Sequence, residues 1–169
     1  MTNGLTYSRK TTSAETTKQL AATIAPYLKA GDVLVLSGHL GAGKTQFVQG
    51  VAQALGVPGS VTSPTFNILL NYESKDGFPL YHFDLYRLDH ENQLEDIGYY
   101  EIVDGPGATF IEWGEKFPTA LPYDYLEIVI EVDDDDAFQR CIKVHANGER
   151  SRRLLFVWAQ DSKSRLVKK

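Results

Sequence analysis

The chain has 169 residues, 43% hydrophobic and 23% charged, with a net charge of −5; these proportions exclude wholesale disorder and a fibrous chain, and the length allows a core without disulfide or metal staples. One cysteine, Cys141, excludes an internal disulfide, and there is no charged-then-apolar leader and no apolar run long enough to span a membrane. One domain over residues 1–169, in the cytoplasm and away from membranes, is therefore expected.

After a short start around Leu5 and Tyr7, Ser13 precedes apolar residues Leu20, Ala21, Ile24, Tyr27 and Leu28 at helical spacing, ended by Ala30-Gly31. Asp32 to Ser37 is a continuous apolar run between glycines, the pattern of a strand buried on both faces of a parallel sheet. It leads into Gly38-His39-Leu40-Gly41-Ala42-Gly43-Lys44-Thr45, and from Lys44 to Leu55 the chain reads as a helix stopped by Gly56 and Pro58. Three further strands are predicted at Thr65 to Tyr72, Leu80 to Leu85 and Ala108 to Trp113, with a polar helical stretch from Glu91 to Ile97. Leu126 to Val132 and Arg140 to Ala146 alternate about Asp133-Asp134-Asp135-Asp136 and predict a closing hairpin, followed by a helix after Gly148. The fold class expected is α/β: a single P-loop NTPase domain whose mixed, mostly parallel sheet is flanked by helices.

Strand, glycine loop and helix form the context that a phosphate-binding loop requires. Gly38, Gly41 and Gly43 let the backbone turn tightly so that N–H groups, including that of Ala42, point inward at phosphate oxygens. Lys44 supplies a positive charge to the β and γ phosphates, Thr45 offers its hydroxyl to Mg²⁺, and the helix that continues through Gln46 presents its N-terminus to the anion. A chain this long matches the motif by chance roughly 0.7% of the time, so the match is specific even before its context is counted.

Hydrolysis needs more than phosphate binding: a group that places water in line and a second anchor for the metal. Asp84 and Glu112 each end a hydrophobic strand in a carboxylate, at the sheet edge that faces the ligand crevice of α/β proteins. Either could hold Mg²⁺ or orient water, and either could be a solvated turn residue. Thr65 follows Pro64 in the loop after the P-loop helix, where a hydroxyl could sense the γ-phosphate or merely cap a turn. His39 is expected to project to solvent and His82 to pack within its strand, rather than to ligate metal. The four aspartates read as a tight turn, and Cys141 as a strand position rather than a nucleophile. Residues 148–169 carry seven basic and two acidic groups against an acidic remainder; Arg150, Arg152 and Arg153 there suit either a solvated helix face or contact with RNA phosphates.

The glycine loop, then Ser63-Pro64-Thr65-Phe66, then Tyr81-His82-Phe83-Asp84-Leu85-Tyr86-Arg87-Leu88, then Ile111-Glu112-Trp113 together resemble the TsaE (YjeE) family, the bacterial ATPases of tRNA threonylcarbamoyladenosine synthesis. The resemblance runs from about Ser13 to the C-terminal helix. It implies a chain that binds ATP or ADP with Mg²⁺ and hydrolyses ATP. It also implies work with the proteins TsaD and TsaB, and with tRNA through that complex, in modification of adenosine 37 in tRNAs reading ANN codons. Carried onto this sequence, it makes Thr45 and Glu112 the metal ligands, sets Asp84 beside Lys44 as the residue assisting hydrolysis, and assigns Thr65 to a switch-like loop. Trp113 would sit beside the nucleotide, and segments near Ala14 and Asp133 to Ala137 would border the adenine. The family usually has an acid or amide where His39 stands and often a second Thr where Gln46 stands, departures that bear on affinity rather than on phosphate binding. A P-loop small-molecule kinase and a nucleotide-gated interaction module are the alternatives. For a kinase, only Arg87 is a nearby arginine, and no Asn-Lys-x-Asp string exists to read guanine.

Overall fold

A computed structural model describes residues 6–59, 61 and 67–166, with side chains followed to residue 161. Seven strands form one sheet in the order β1-β7-β6-β2-β5-β4-β3. At its centre β2 (Val33–Ser37) is buried at every position, because it pairs in parallel with β5 (Ala108–Glu112) on one side and β6 (Tyr125–Val132) on the other. β4 (Pro79–Asp84) extends the parallel set beyond β5. The edges are antiparallel: β3 (Leu69–Glu73) on β4, and β7 (Arg140–Asn147) on β6 with β1 (Thr6–Thr11) outermost. The sheet is thus mixed, as expected, with its parallel pairings gathered in the middle.

Side-chain alternation sorts the core onto two faces. Leu34, Leu36, Leu80, Phe110, Ile128 and their neighbours pack under α1 (Ala14–Ala22), α2 (Lys44–Ala54) and α5 (Glu149–Leu166). Val33, Val35, Phe83 and Ile111 pack on the other side, against Leu94 of α3 (Gln93–Asp96), Tyr99 of α4 (Tyr99–Val103) and Phe117. The first face is pinned by Trp158 of α5, which is fully buried between the rings of Tyr7 and Phe47 and donates its indole N–H to the Thr23 hydroxyl at 2.7 Å.

Several boundaries differ from the sequence expectation for local reasons. Ser13 caps α1 in a capping box with Thr16, but the helix ends at Ala22 and gives way to a 3-10 turn at Ala25–Tyr27. Pro26 lacks an N–H and disfavours helical geometry at the residue before it. The stretch from Glu91 contracts to α3, and Gly98 at φ 70° starts a separate α4 that the pattern did not reveal. β3 begins at Leu69, after Ile68 at φ 65°; residues 62–66, including Thr65, lie outside the described residues. β5 stops at Glu112 because Trp113 turns to φ 64°. The polar segment Thr6–Thr11 is a strand, half exposed at the sheet edge. The aspartate run is the turn expected of it: the Asp133 carboxylate accepts from the amides of Asp135 and Asp136, and that of Asp136 from the amide of Phe138. Cys141 is half-buried in β7 beside the Ser8 hydroxyl. Among the described residues no helix is long and apolar enough to cross a membrane.

Candidate nucleotide-binding site

Since β2, β4, β5 and β6 run in parallel, their C-terminal ends open on one edge of the sheet. That edge gathers the glycine loop, Asp84, Glu112 and the turn after β6. Gly38, Gly41 and Gly43 have φ of 146°, 80° and 113°. Gly38 is required twice over, since a Cβ there would also run into the Ile130 carbonyl of β6. At Gly41 an added Cβ would meet nothing within 4 Å, so its requirement is conformational alone.

α2 starts at Lys44 with no side-chain cap, and its first bond to the loop is from the Phe47 amide to Gly43. The first-turn amides of Lys44, Thr45 and Gln46 are therefore those a helix leaves open to an anion. Lys44 is 5% exposed; its ammonium donates to the Gly38 carbonyl at 2.6 Å and the His39 carbonyl at 3.0 Å and lies 4.3 Å from the centre of the Trp113 ring. Burial lowers its pKa, an effect opposed by the charges of Glu112, Glu115 and Asp84. The lysine is thus folded back onto the loop that a phosphate would occupy.

Thr45 donates its hydroxyl to Glu112 Oε1 at 2.9 Å. Asp84 and Glu112 are register partners on β4 and β5, so the two carboxylates lie on neighbouring strands and on the same face as α2. Both are buried, at 6% and 2% exposure, and Asp84 Oδ1 accepts from the Tyr86 amide at 3.0 Å. Trp113 leans on the Tyr86 ring at 4.9 Å between centroids. Both strand-end acids are therefore buried at the sheet edge that holds the glycine loop, rather than turn residues facing solvent.

On the other flank, Ala14, Thr17, Gly41, Ala42, Gly43 and Gln46 line a cavity of about 50 Å³ with Arg140. This brings the α1 N-terminus to the glycine loop. His39 is exposed and His82 is fully buried in β4, as expected of both.

Three contacts at this edge escaped the sequence. Arg140 at the start of β7 donates to the Ala42 carbonyl at 2.7 Å and so ties the hairpin to the loop. Glu115 accepts from Ser37 at 3.4 Å and adds a negative charge near Lys44. The residue as a whole is exposed, yet local desolvation raises its pKa against the opposing pull of its backbone contact, Lys44 and Ser37. His82 Nε2 stands 3.5 Å from Glu112 Oε2. No sequence spacing signals any of these contacts, which depend on strand register and loop path. Of the three arginines that suit either a solvated face or RNA contact, Arg150 is engaged within the fold, holding Asp32 at 2.8 Å and the Tyr27 carbonyl at 2.9 Å. Arg153 pairs with Glu149 one turn away, and Arg152 is exposed.

Known proteins resemble this chain in sequence and in fold. The family described as threonylcarbamoyl adenosine biosynthesis protein TsaE matches residues 11–142. A tRNA threonylcarbamoyladenosine biosynthesis protein TsaE from Bacillus subtilis (strain 168) is 44% identical over 142 residues, 83% of this chain and 86% of the relative. One from Rickettsia felis is 35% identical over 146 residues, 86% of this chain and 83% of the relative. The crystal structure of Bacillus subtilis YdiB superposes with a TM-score of 0.77 at 35% identity, covering 96% of this chain and 99% of that one. With most of its length matched in sequence and nearly all of it in fold, the chain belongs to the TsaE family of threonylcarbamoyl adenosine biosynthesis proteins.

Proposed function

We propose that the chain binds ATP across its glycine loop and hydrolyses it with Mg²⁺, slowly alone and faster with TsaD, TsaB and tRNA, during threonylcarbamoylation of adenosine 37 in tRNAs reading ANN codons. The observation that carries the ATPase proposal is the contact between the Thr45 hydroxyl and the Glu112 carboxylate, set beside Lys44 at an uncapped helix start. These are hard oxygen donors. Among the described residues no group of three His, Cys, Asp or Glu side chains is arranged to hold an ion unaided. That suits Mg²⁺, which keeps waters and takes phosphate oxygens alongside one or two protein ligands. When bound, the ion would neutralise charge on the β and γ phosphates.

The chain's own residues supply the rest. Gly38, Gly41 and Gly43 hold the loop in the positive-φ turn that leads into the first-turn amides of Lys44 and Thr45. Lys44 exchanges the Gly38 and His39 carbonyls for phosphate oxygens, a swap favoured by the phosphate charge it gains in a desolvated setting. Asp84, the register partner of Glu112 on the neighbouring strand, would orient the attacking water and accept its proton. Ala14, Gln46 and Arg140 border the glycine loop on the α1 side, and the Trp113 ring lies beside the Lys44 ammonium.

The test is ATP hydrolysis by the purified chain with Mg²⁺, alone and with TsaD, TsaB and tRNA, using Lys44→Ala as the blank. Partner-stimulated turnover that disappears in Lys44→Ala is expected. Nucleotide binding without stimulated turnover would replace the ATPase by a nucleotide-gated interaction module.

A further inference from the structure

His82 is 0% exposed, and neither of its ring nitrogens has a hydrogen-bond partner among the described residues. A buried polar group in that state calls for a reason, since an apolar side chain of similar size would sit among Leu80 and Phe110 without the desolvation cost. Alternation along β4 places His82 on the α2 face between Leu80 and Asp84, and register sets it opposite Phe110, two residues behind the pair Asp84 and Glu112. Its Nε2 lies 3.5 Å from Glu112 Oε2, just beyond hydrogen-bonding distance. The other oxygen of that carboxylate is held by Thr45 at 2.9 Å.

We propose that His82 is a positioning residue for Glu112: its Nε2–H closes on Oε2 when the site is loaded and fixes the carboxylate in the orientation that serves Mg²⁺. Glu112 then has one oxygen steered from α2 and the other from β4, so the carboxylate cannot rotate away as nucleotide enters. Hydrogen bonds at such sites are commonly long in the empty protein and shorten on loading, and carboxylate ligands depend on partners of this kind behind them. The role assigned to His82 rests on the proposed metal site at Thr45 and Glu112 and names a residue behind it.

The experiment measures affinity rather than turnover. ADP binding to the full chain is followed by calorimetry in EDTA, and Mg²⁺ is then titrated onto the chain with ADP present while the change in tryptophan fluorescence is read, with the buried Trp158 as a constant background. This is done for wild type, His82→Leu and His82→Gln. His82→Leu should bind ADP in EDTA as wild type does, because the glycine loop and Lys44 are untouched. It should need about 10- to 100-fold more Mg²⁺ for the same effect. His82→Gln, whose amide N–H reaches a similar position, should recover most of that loss. A wild-type Mg²⁺ requirement in His82→Leu overturns the inference. So does loss of ADP affinity in EDTA by both variants, which would make His82 a residue of the fold alone. If instead wild-type affinity ignores Mg²⁺, the metal site itself is withdrawn, a result distinct from either.

Discussion

Gly38 and Gly41 look alike in the sequence but are constrained by different physics, and a methyl group separates them. At Gly38 an added Cβ meets the Ile130 carbonyl of β6 as well as an unfavourable φ, whereas at Gly41 only the φ is unfavourable. Gly38→Ala should therefore lower stability by about 2–4 kcal/mol, overpacking added to strain, and Gly41→Ala by about 1–2 kcal/mol; urea unfolding midpoints would separate the two. Glu115 offers a second single-residue test, through pH. Its raised pKa means that the folded chain keeps this proton over a range in which the unfolded chain has lost it. The stability this group contributes is complete below the ordinary carboxylate range and is lost as pH rises through the folded value. Glu115→Gln should accordingly raise the unfolding midpoint at neutral pH and change it little in acid; a midpoint difference that does not depend on pH would dismiss the argument. The glycine loop, Asp84 and Glu112 were legible in the sequence because each is marked locally, by glycine spacing or by an acid closing an apolar run. Arg140 was not, since its bond to Ala42 spans 98 positions and depends on where a hairpin turns.

Helices α1 and α2 cross at Gly50, where an added Cβ would come within 2.7 Å of the Lys18 Cα and closer to its carbonyl. Intrinsic propensity favours alanine over glycine inside a helix by about 1 kcal/mol. Gly50→Ala should nonetheless destabilise the chain by about 1–3 kcal/mol, because α1 must move off α2 to admit the methyl. A stabilised variant in thermal unfolding would show that the crossing is loose. The same element-scale logic explains what the sequence did and did not reveal. β2 and β5 could be recognised because central parallel strands are buried on both faces and read as unbroken apolar runs. β1 could not, for its residues are polar and its existence depends on the β7 edge it pairs with. α4 likewise follows from the left-handed Gly98 and from Tyr99 packing on Phe83, not from any helical period in five residues.

The loop at the C-terminal sheet edge touches most of the layers of the molecule, and this makes ligand binding a matter of global stability. Lys44 and Thr45 belong to α2, Glu112 to β5, the Ile130 carbonyl behind Gly38 to β6, and Arg140 to β7. The far end is fastened separately: Asp32, ahead of β2, holds Arg150 of α5, while Asp124 caps that helix through the amides of Arg150 and Ser151. Nucleotide bound to the folded chain alone must therefore stabilise the whole sheet rather than one loop. At an ADP concentration 100-fold above its dissociation constant, the gain is about 2.7 kcal/mol. For a chain of this length that corresponds to a rise in Tm of about 5–10 °C. Lys44→Ala should lose most of this rise, since it removes the positive charge proposed to face the phosphates but leaves α2 and the sheet in place. Arg152→Ala with Arg153→Ala should keep it in full, because both side chains lie on the exposed face of α5, away from the loop. If that double variant also retains partner-stimulated turnover with unchanged salt dependence, the basic residues 152 and 153 form a solvated face. A weakened and flatter salt dependence would instead place them against RNA phosphates.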